Sequence, residues 1–223
     1  MTVPYPVFRD VTPVRSSQNF YSTIGKRAFD LLAIVLAAPI AVPLVLFMAL
    51  VAWVQGGSPF YFQKRVGLGG REFRCWKIRT MVRDADAVLT QLVASDPIIA
   101  AEWTLNQKLT KDPRITRVGR FLRRSSLDEL PQLLNVLNGT MSLIGPRPFT
   151  PDQKRLYADG RTDAAYYYLK PGITGLWQVS RRNAGSFSER VHFDSQYSDR
   201  MSLFFDIGII VRTFGVVLRA TGI

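Results

Sequence analysis

Residues 31–54, LLAIVLAAPIAVPLVLFMALVAWV, carry no charge over 24 positions. A helix needs roughly 20 such residues to cross a bilayer. The run is too long, and continues too far past the small residues Ala37 and Ala38, to be a cleaved leader. Pro39 and Pro43 fall in its middle, where each removes a backbone donor and crowds the preceding turn, so a break is expected. Lys26 and Arg27 precede the run, and Lys64, Arg65, Arg71, Arg74, Lys77 and Arg79 follow it. A straight span would leave one basic cluster outside, against the positive-inside bias, whereas a broken helix that enters and returns keeps both in the cytoplasm. The pattern therefore predicts a re-entrant membrane helix over 24–56, with a simple span and a buried core helix as the alternatives.

Downstream the period changes. FYFQKRVGLGGREFRCWKIRTM (60–81) alternates around Gly67, Gly69 and Gly70, which predicts a β-hairpin; the glycines lack the spacing of a phosphate loop. Residues 83–107 read as helix interrupted near Pro97. Leu127, Leu130, Leu133, Leu134 and Leu137 form a helical stripe suited to a core or a membrane surface. SLFFDIGIIVRTFGVVLRA (202–220) is apolar but interrupted by Asp206 and Arg212, which suits a helix lying in the headgroup plane better than a span. Residues 1–23, rich in Pro, Ser and Thr, read as a mobile tail. The fold class that follows is α+β, mostly α. It is a monotopic membrane protein with a Pro-broken re-entrant membrane helix. A small cytosolic domain over 57–223 carries the β-hairpin and the interfacial amphipathic helices.

Charge narrows the function. A net charge of +12 favours an anionic partner: nucleic acid, lipid headgroups or phosphorylated metabolites. A single cysteine, Cys75, excludes an internal disulfide and suits a reducing compartment, and with one histidine, His192, it argues against a zinc cluster or a Cys/His catalytic pair. From Lys111 to Arg124 the chain carries six cations (111, 114, 117, 120, 123, 124) against one acid, Asp112, and the carboxylates Asp128 and Glu129 come directly after. Ser126 followed by Glu129 fits a capping box, which would place the pair in the first turn of the leucine-striped helix, with Pro131 tolerated there. That helix start, with Arg123 and Arg124 upstream, is expected to keep Asp128 ionised and usable as a nucleophile or metal ligand. The same residues also suit a helix cap with no chemistry. In SLIGPRP (142–148), Arg147 sits between prolines on a stiff backbone, either held ready for a phosphate or anchoring a loop. In PGITGLWQVSRRN (171–183), Gln178, Arg181, Arg182 and Asn183 could read a base and phosphates, or face solvent.

KRAFDLL, the Pro-interrupted apolar segment, FQKRVG, FRCWKIRTM, DPRITRVGRFLRRSSLDELPQLLNVLNGTMSLIGPRP and PGITGLWQVS occur in that order. Together, over about residues 24–220, they resemble the bacterial sugar transferases, the monotopic phosphoglycosyl transferases that start exopolysaccharide and glycan assembly. The resemblance implies that the cytosolic domain is catalytic and sits at the inner (cytoplasmic) membrane, facing the cytoplasm. It implies Mg²⁺-dependent transfer of a sugar-1-phosphate, with galactose or glucose as the leading sugars, from a UDP-sugar to undecaprenyl phosphate, releasing UMP. Asp128 would be the nucleophile that forms a phosphosugar–aspartyl intermediate, and Glu129 would hold the metal or position the pair. Arg123 and Arg147 match phosphate-binding arginines, and Lys77, Arg79, Gln178 and Arg182 match positions lining the nucleotide and lipid-phosphate site. The partners implied are UDP-sugar, undecaprenyl phosphate and membrane lipids, with no nucleic acid; a homo-oligomer is compatible with the sequence. Ala38 replaces a frequent Ser, Arg181 a usual Gly, and NAGS follows where relatives often carry an acidic or amide side chain. The last two departures fall in the presumed sugar or nucleotide loop. A non-catalytic scaffold of a polysaccharide assembly complex is the alternative. A membrane-tethered nucleic-acid binder would explain the charge, but neither the carboxylate pair nor the apolar segment.

Overall fold

The computed structural model describes residues 20–106, 109–180 and 187–218. The tail expected over 1–23 lies outside them as far as residue 19. Tyr21–Gly25 instead form a π-helical turn that runs straight into α1 (Lys26–Val54). Both Pro39 and Pro43 lie inside α1, so the helix continues through the positions where a break was expected. An apolar helix absorbs a missing donor by local adjustment of its hydrogen bonding. Only 22% of its most apolar window is buried within the protein, and Val35, Leu36, Ile40, Leu46, Phe47, Leu50 and Trp53 are exposed.

The predicted hairpin forms as β1 (Phe60–Val66) and β2 (Glu72–Ile78), turning through Gly69 and Gly70, which adopt positive φ of 65° and 74°. The helical stretch divides as expected into α2 (Ala85–Ser95) and α3 (Pro97–Asn106), with the Asp96 carboxylate accepting from the Ile98 N–H at 2.8 Å. Then follow α4 (Arg117–Ser125), a 3₁₀ turn over Leu127–Glu129, α5 (Gln132–Leu137), β3 (Ser142–Ile144), β4 (Gly172–Thr174), α6 (Leu176–Ser180), α7 (Arg190–Arg200) and α8 (Leu203–Leu218). The chain packs as two units. The first is Met1–Leu36, Gln63–Cys75 and Leu133–Phe214; the second is Ala37–Phe62, Trp76–Gln132 and Gly215–Ile223.

In the second unit, Met48, Ala49 and Ala52 of α1 bury against Ile78 of β2 and Leu122 of α4, with Leu127 and Leu130 packed alongside. α4 lies backbone to backbone on the residue that follows β2. A Cβ on Gly119 would overlap the Thr80 carbonyl, which already accepts from the Thr116 N–H at 3.1 Å. The leucine stripe is therefore split: Leu127 and Leu130 serve this core, Leu133 packs in the first unit, and Leu134 and Leu137 are exposed.

In the first unit, β3 and β4 pair in parallel, Ser142 beside Gly172 and Ile144 beside Thr174. An aromatic cluster of Phe149, Tyr157, Tyr166 and Tyr167 forms a core of this unit with Val66 and Val191. The start of α1 is tied in by its charges. Lys26 Nζ donates at 2.6 Å to Asp206, which also accepts from the Tyr21 and Tyr197 hydroxyls at 2.7 and 2.9 Å. Arg27 Nη2 donates to the Leu137 carbonyl at 2.8 Å, closing the C-terminal end of α5. Asp30 accepts from the Ser142 hydroxyl and the Leu143 N–H at 3.1 and 3.0 Å. Asp206, expected to spoil the apolar run of α8, is instead its inward face, while Phe204, Ile207, Val211 and Phe214 remain exposed.

Removing one partner from a buried, hydrogen-bonded ion pair strands the others, at a cost of about 3–5 kcal/mol. Asp206→Ala should therefore lower unfolding stability by that order in equilibrium denaturation of the detergent-solubilised protein. Glu72→Ala, which breaks the solvated Lys64–Glu72 contact at 3.7 Å, should cost less than about 1 kcal/mol. Equal effects would refute the clamp.

Candidate active site

α4 ends at Ser126, which adopts the left-handed conformation with φ of 58°. The chain then makes the single 3₁₀ turn carrying Asp128 and Glu129, with Glu129 N–H donating to the Ser126 carbonyl at 3.2 Å. The expected capping box does not form, and Ser126 makes no side-chain capping bond. A capping residue needs extended backbone angles, and a left-handed serine aims its hydroxyl elsewhere. The pair thus sits in its own turn ahead of α5. Leu127 and Leu130, on either side, pack into the core and pull Asp128 under the surface, to 7% exposure.

Burial decides the charge state of Asp128. It pushes the carboxyl up to about 6, with Lys77 and Arg123 opposing the rise and Glu129 adding to it. The group is mostly ionised at neutral pH, but much closer to protonation than the helix-start argument implied. Lys77 Nζ, on β2, donates to Glu129 Oε1 at 2.8 Å. Arg123 Nε donates to the Thr80 hydroxyl at 2.8 Å, and burial holds its guanidinium below the usual arginine range. Asp128, Glu129, Lys77 and Arg123 therefore come together as expected. Arg79 does not join them: its Nη2 donates to the Ala52 carbonyl at 2.8 Å and to the Gly56 carbonyl, closing the C-terminal end of α1. Lys77 lies only two residues back, on β2, but their partners are different elements. The basic run divides similarly. Arg114 is spent on a buried two-pronged pair with Asp112 (2.9 and 2.6 Å), and Lys111, Arg117, Arg120 and Arg124 are exposed.

The first unit holds Arg147 and Gln178; Arg182 and the departures at 181–186 lie outside the described residues. Gly145 and Gly175 let two loops cross at backbone contact: a Cβ on either would overlap the other loop's backbone, and the Gly172 N–H donates to the Pro146 carbonyl at 2.9 Å. Arg65 fixes the outgoing side, its Nη1 donating to the Pro148 carbonyl at 3.1 Å. Arg147 is thereby presented from a braced loop, as its flanking prolines suggested. Gln178 is 7% exposed, and neither its Nε2 nor its Oε1 finds a partner among the described residues. Arg190, not singled out in the sequence, lies over the Trp177 ring at 4.3 Å and the Phe187 ring at 4.5 Å. Its stacking partners come from α6 and from the residues leading into α7, a juxtaposition that no local pattern announces.

The family profile described as bacterial sugar transferase matches residues 21–220. The chain belongs to the bacterial sugar transferase family. It is 48% identical over 198 residues to the undecaprenyl-phosphate galactose phosphotransferase of Salmonella typhimurium, covering 88% of this chain and 41% of that protein. It is 46% identical over 202 residues to the exopolysaccharide production protein ExoY of Rhizobium meliloti, covering 89% and 88%. It is 39% identical over 197 residues to the UDP-glucose:undecaprenyl-phosphate glucose-1-phosphate transferase of Caulobacter vibrioides, covering 85% and 68%. The chain spans under half the length of the Salmonella relative and of the Erwinia amylovora UDP-galactose-lipid carrier transferase, at 41% and 46%. For this bacterial sugar transferase, the match covers every element that carries the site, from α1 through α7.

The buried carboxylate has a measurable cost. Folded, Asp128 keeps its proton up to about pH 6; unfolded, it releases it near the ordinary aspartate value of 3.8. The folded state therefore binds more protons across that window, and stability falls as pH rises through it. Above pH 6 the full penalty, up to roughly 3 kcal/mol, applies. Asp128→Asn should be more stable than the parent at pH 7.5 by up to that amount, and the gain should vanish near pH 4. A denaturation series at the two pH values checks both statements, and a variant no more stable at pH 7.5 would contradict them.

Proposed function

We propose that this chain transfers a hexose-1-phosphate, galactose or glucose, from a UDP-sugar to undecaprenyl phosphate and releases UMP. The observation that carries the reading is the buried Asp128, ringed by Lys77, Arg123 and Glu129, in a chain of the bacterial sugar transferase family. The relatives named as undecaprenyl-phosphate galactose and glucose-1-phosphate transferases support the substrate class. An Asp128 oxygen attacks the β-phosphorus of the donor; a P–O bond to that phosphorus forms as the bridging P–O bond breaks and UMP departs. An oxygen of the lipid phosphate then attacks the same phosphorus and releases the aspartate. Donor and acceptor are both anionic, so Lys77 and Arg123 serve to offset their repulsion. Desolvation leaves the carboxylate weakly hydrated, which suits a nucleophile, and its proton affinity near pH 6 keeps it ionised in a neutral cytoplasm.

The carboxylate pair fits Mg²⁺ in kind. Among the described residues no three His, Cys, Asp or Glu side chains cluster as a metal site. Mg²⁺ is commonly held by one or two carboxylates, with its shell completed by water and substrate phosphate. Asp128 and Glu129 would hold it, and when bound the ion would supply charge neutralisation on the diphosphate.

Membrane attachment goes with this reading, because the acceptor is a lipid. α1 has the length and apolarity of a span, its exposed side chains are apolar, and α8 exposes Phe204, Ile207, Val211 and Phe214 beside Arg212. A re-entrant course for α1 accords with the cations at both ends. Cysteines placed at the exposed positions Thr23 and Lys64 should label from the cytoplasmic side alone; labelling from opposite sides would restore a simple span.

Nucleotide release by detergent-purified protein with Mg²⁺, undecaprenyl phosphate and a panel of UDP-sugars tests the reaction. UMP is expected from one donor, with Asp128→Asn below detection, and the rate should fall about tenfold per unit as pH drops below about 6. Release of UDP, or turnover that survives Asp128→Asn, would overturn the mechanism. A folded protein that releases no nucleotide would point to a scaffold.

A further inference from the structure

The first unit contains a cation with a sealed and unpartnered donor. Arg190 lies over two aromatic rings, Trp177 and Phe187, at 4.3 and 4.5 Å. A guanidinium donates only in its plane. Its Nε is sealed from solvent and meets no acceptor among the described residues. The acid on its own helix, Asp194, attracts Arg190 but accepts its hydrogen bond from the Tyr157 hydroxyl at 2.6 Å, and burial pushes its carboxyl up to about 7. Burial, with Arg147 and Arg65 of the same sign, outweighs that attraction and pushes the Arg190 guanidinium down to about 10.

Two more donors nearby are in the same condition. The indole N–H of Trp177, the residue stacked on Arg190, is buried without a partner among the described residues, and so is the Gln178 amide. Those side chains are 6% and 7% exposed. Gln178 also borders the loop crossing that braces Arg147, since a Cβ on Gly175 would come within 2.8 Å of its Oε1. A buried polar group without a partner is costly, and native structures rarely keep several together. Three on neighbouring side chains, two of them donors only, call for an oxygen-rich anion.

We infer that Arg190, with the Trp177 indole N–H and the Gln178 amide, forms an oxyanion subsite in the first unit that takes a phosphate or diphosphate ester. The two stacked rings hold the guanidinium at a fixed angle, so it meets the ligand edge-on and two-pronged. The subsite deepens the transfer reading by assigning Arg190 and Trp177 to substrate binding. Its ligand chemistry stands without that reading, because any phosphate ester would satisfy the donors.

Ligand-induced thermal shift of the full-length detergent-solubilised protein tests it, with UDP, inorganic pyrophosphate and undecaprenyl phosphate as separate probes. A ligand that binds only the folded state raises the melting temperature according to its affinity. At least one probe should stabilise the parent. Arg190→Gln should bind that probe at least about tenfold more weakly. A purely structural stacking role predicts an undiminished ligand shift in the folded variant, and that outcome overturns the inference. Should Arg190→Gln fail to fold, Trp177→Phe keeps the stack and deletes only the indole donor: a reduced shift at unchanged unliganded melting supports the subsite, and a full shift refutes it. A response to UDP and pyrophosphate identifies the donor's diphosphate as the source, a response to the lipid alone identifies the acceptor's phosphate, and no response to any probe refutes the subsite. UMP release by the parent with an unchanged shift in Arg190→Gln would sink the subsite and leave the transfer reading standing. No nucleotide release with an Arg190-dependent shift would do the opposite.

Discussion

Four consecutive residues, Lys77 and Ile78 at the end of β2 with Arg79 and Thr80 just beyond it, set the geometry on which the second unit depends. Side chains alternate along a strand, so neighbouring residues reach different partners. Lys77 holds Glu129, Ile78 enters the core beside Met48, Arg79 closes the end of α1, and the Thr80 hydroxyl takes the Arg123 guanidinium. The Thr80 carbonyl meanwhile lies against Gly119, where nothing larger than hydrogen fits. A shift of one residue in this strand would move all of these contacts together. The carboxylate pair is positioned largely by what that strand end holds.

Against this framework, the burial of Asp128 is a balance of opposing effects. Dehydration favours the proton, and Lys77 and Arg123 favour the charge. The balance lies near neutrality, where a carboxylate remains ionised but is poorly solvated. The six cations of residues 111–124 do not act in common: one is consumed by Asp112, one braces the site through Thr80, and the others face solvent. The acidic pair therefore answers to a few placed cations rather than to the whole basic stretch.

What the sequence made legible was local or periodic. The hairpin around Gly69, the helix divided at Pro97 and the convergence of Asp128 and Glu129 with Lys77 and Arg123 emerge as read, whereas the long apolar helix runs through Pro39 and Pro43, where a break was expected. The capping box at Ser126 did not, because its spacing is correct but its backbone is left-handed, and spacing carries no information about φ. Arg79 matched a site motif yet serves a helix end, a role fixed by where α1 stops and visible only in three dimensions. Arg190 and Trp177 meet across the segment between α6 and α7. Asp206 read as a flaw in an apolar helix because the groups that satisfy it, Tyr21 and Lys26, lie 185 and 180 residues away.

That last separation has a consequence for how the protein is made. Lys26 leaves the ribosome 180 residues ahead of the carboxylate that will neutralise it. At a synthesis rate of about 5–20 residues per second, the interval is roughly ten to forty seconds. In the proposed membrane-bound form, the apolar helix would meet the bilayer during that time with an ammonium not yet paired to Asp206, and a lysine there can extend toward lipid phosphates. The headgroup layer would stand in for Asp206 until the C-terminal helix arrives. The exchange of a lipid phosphate for a protein carboxylate would then be among the last steps that fix the N-terminal helix to its own chain.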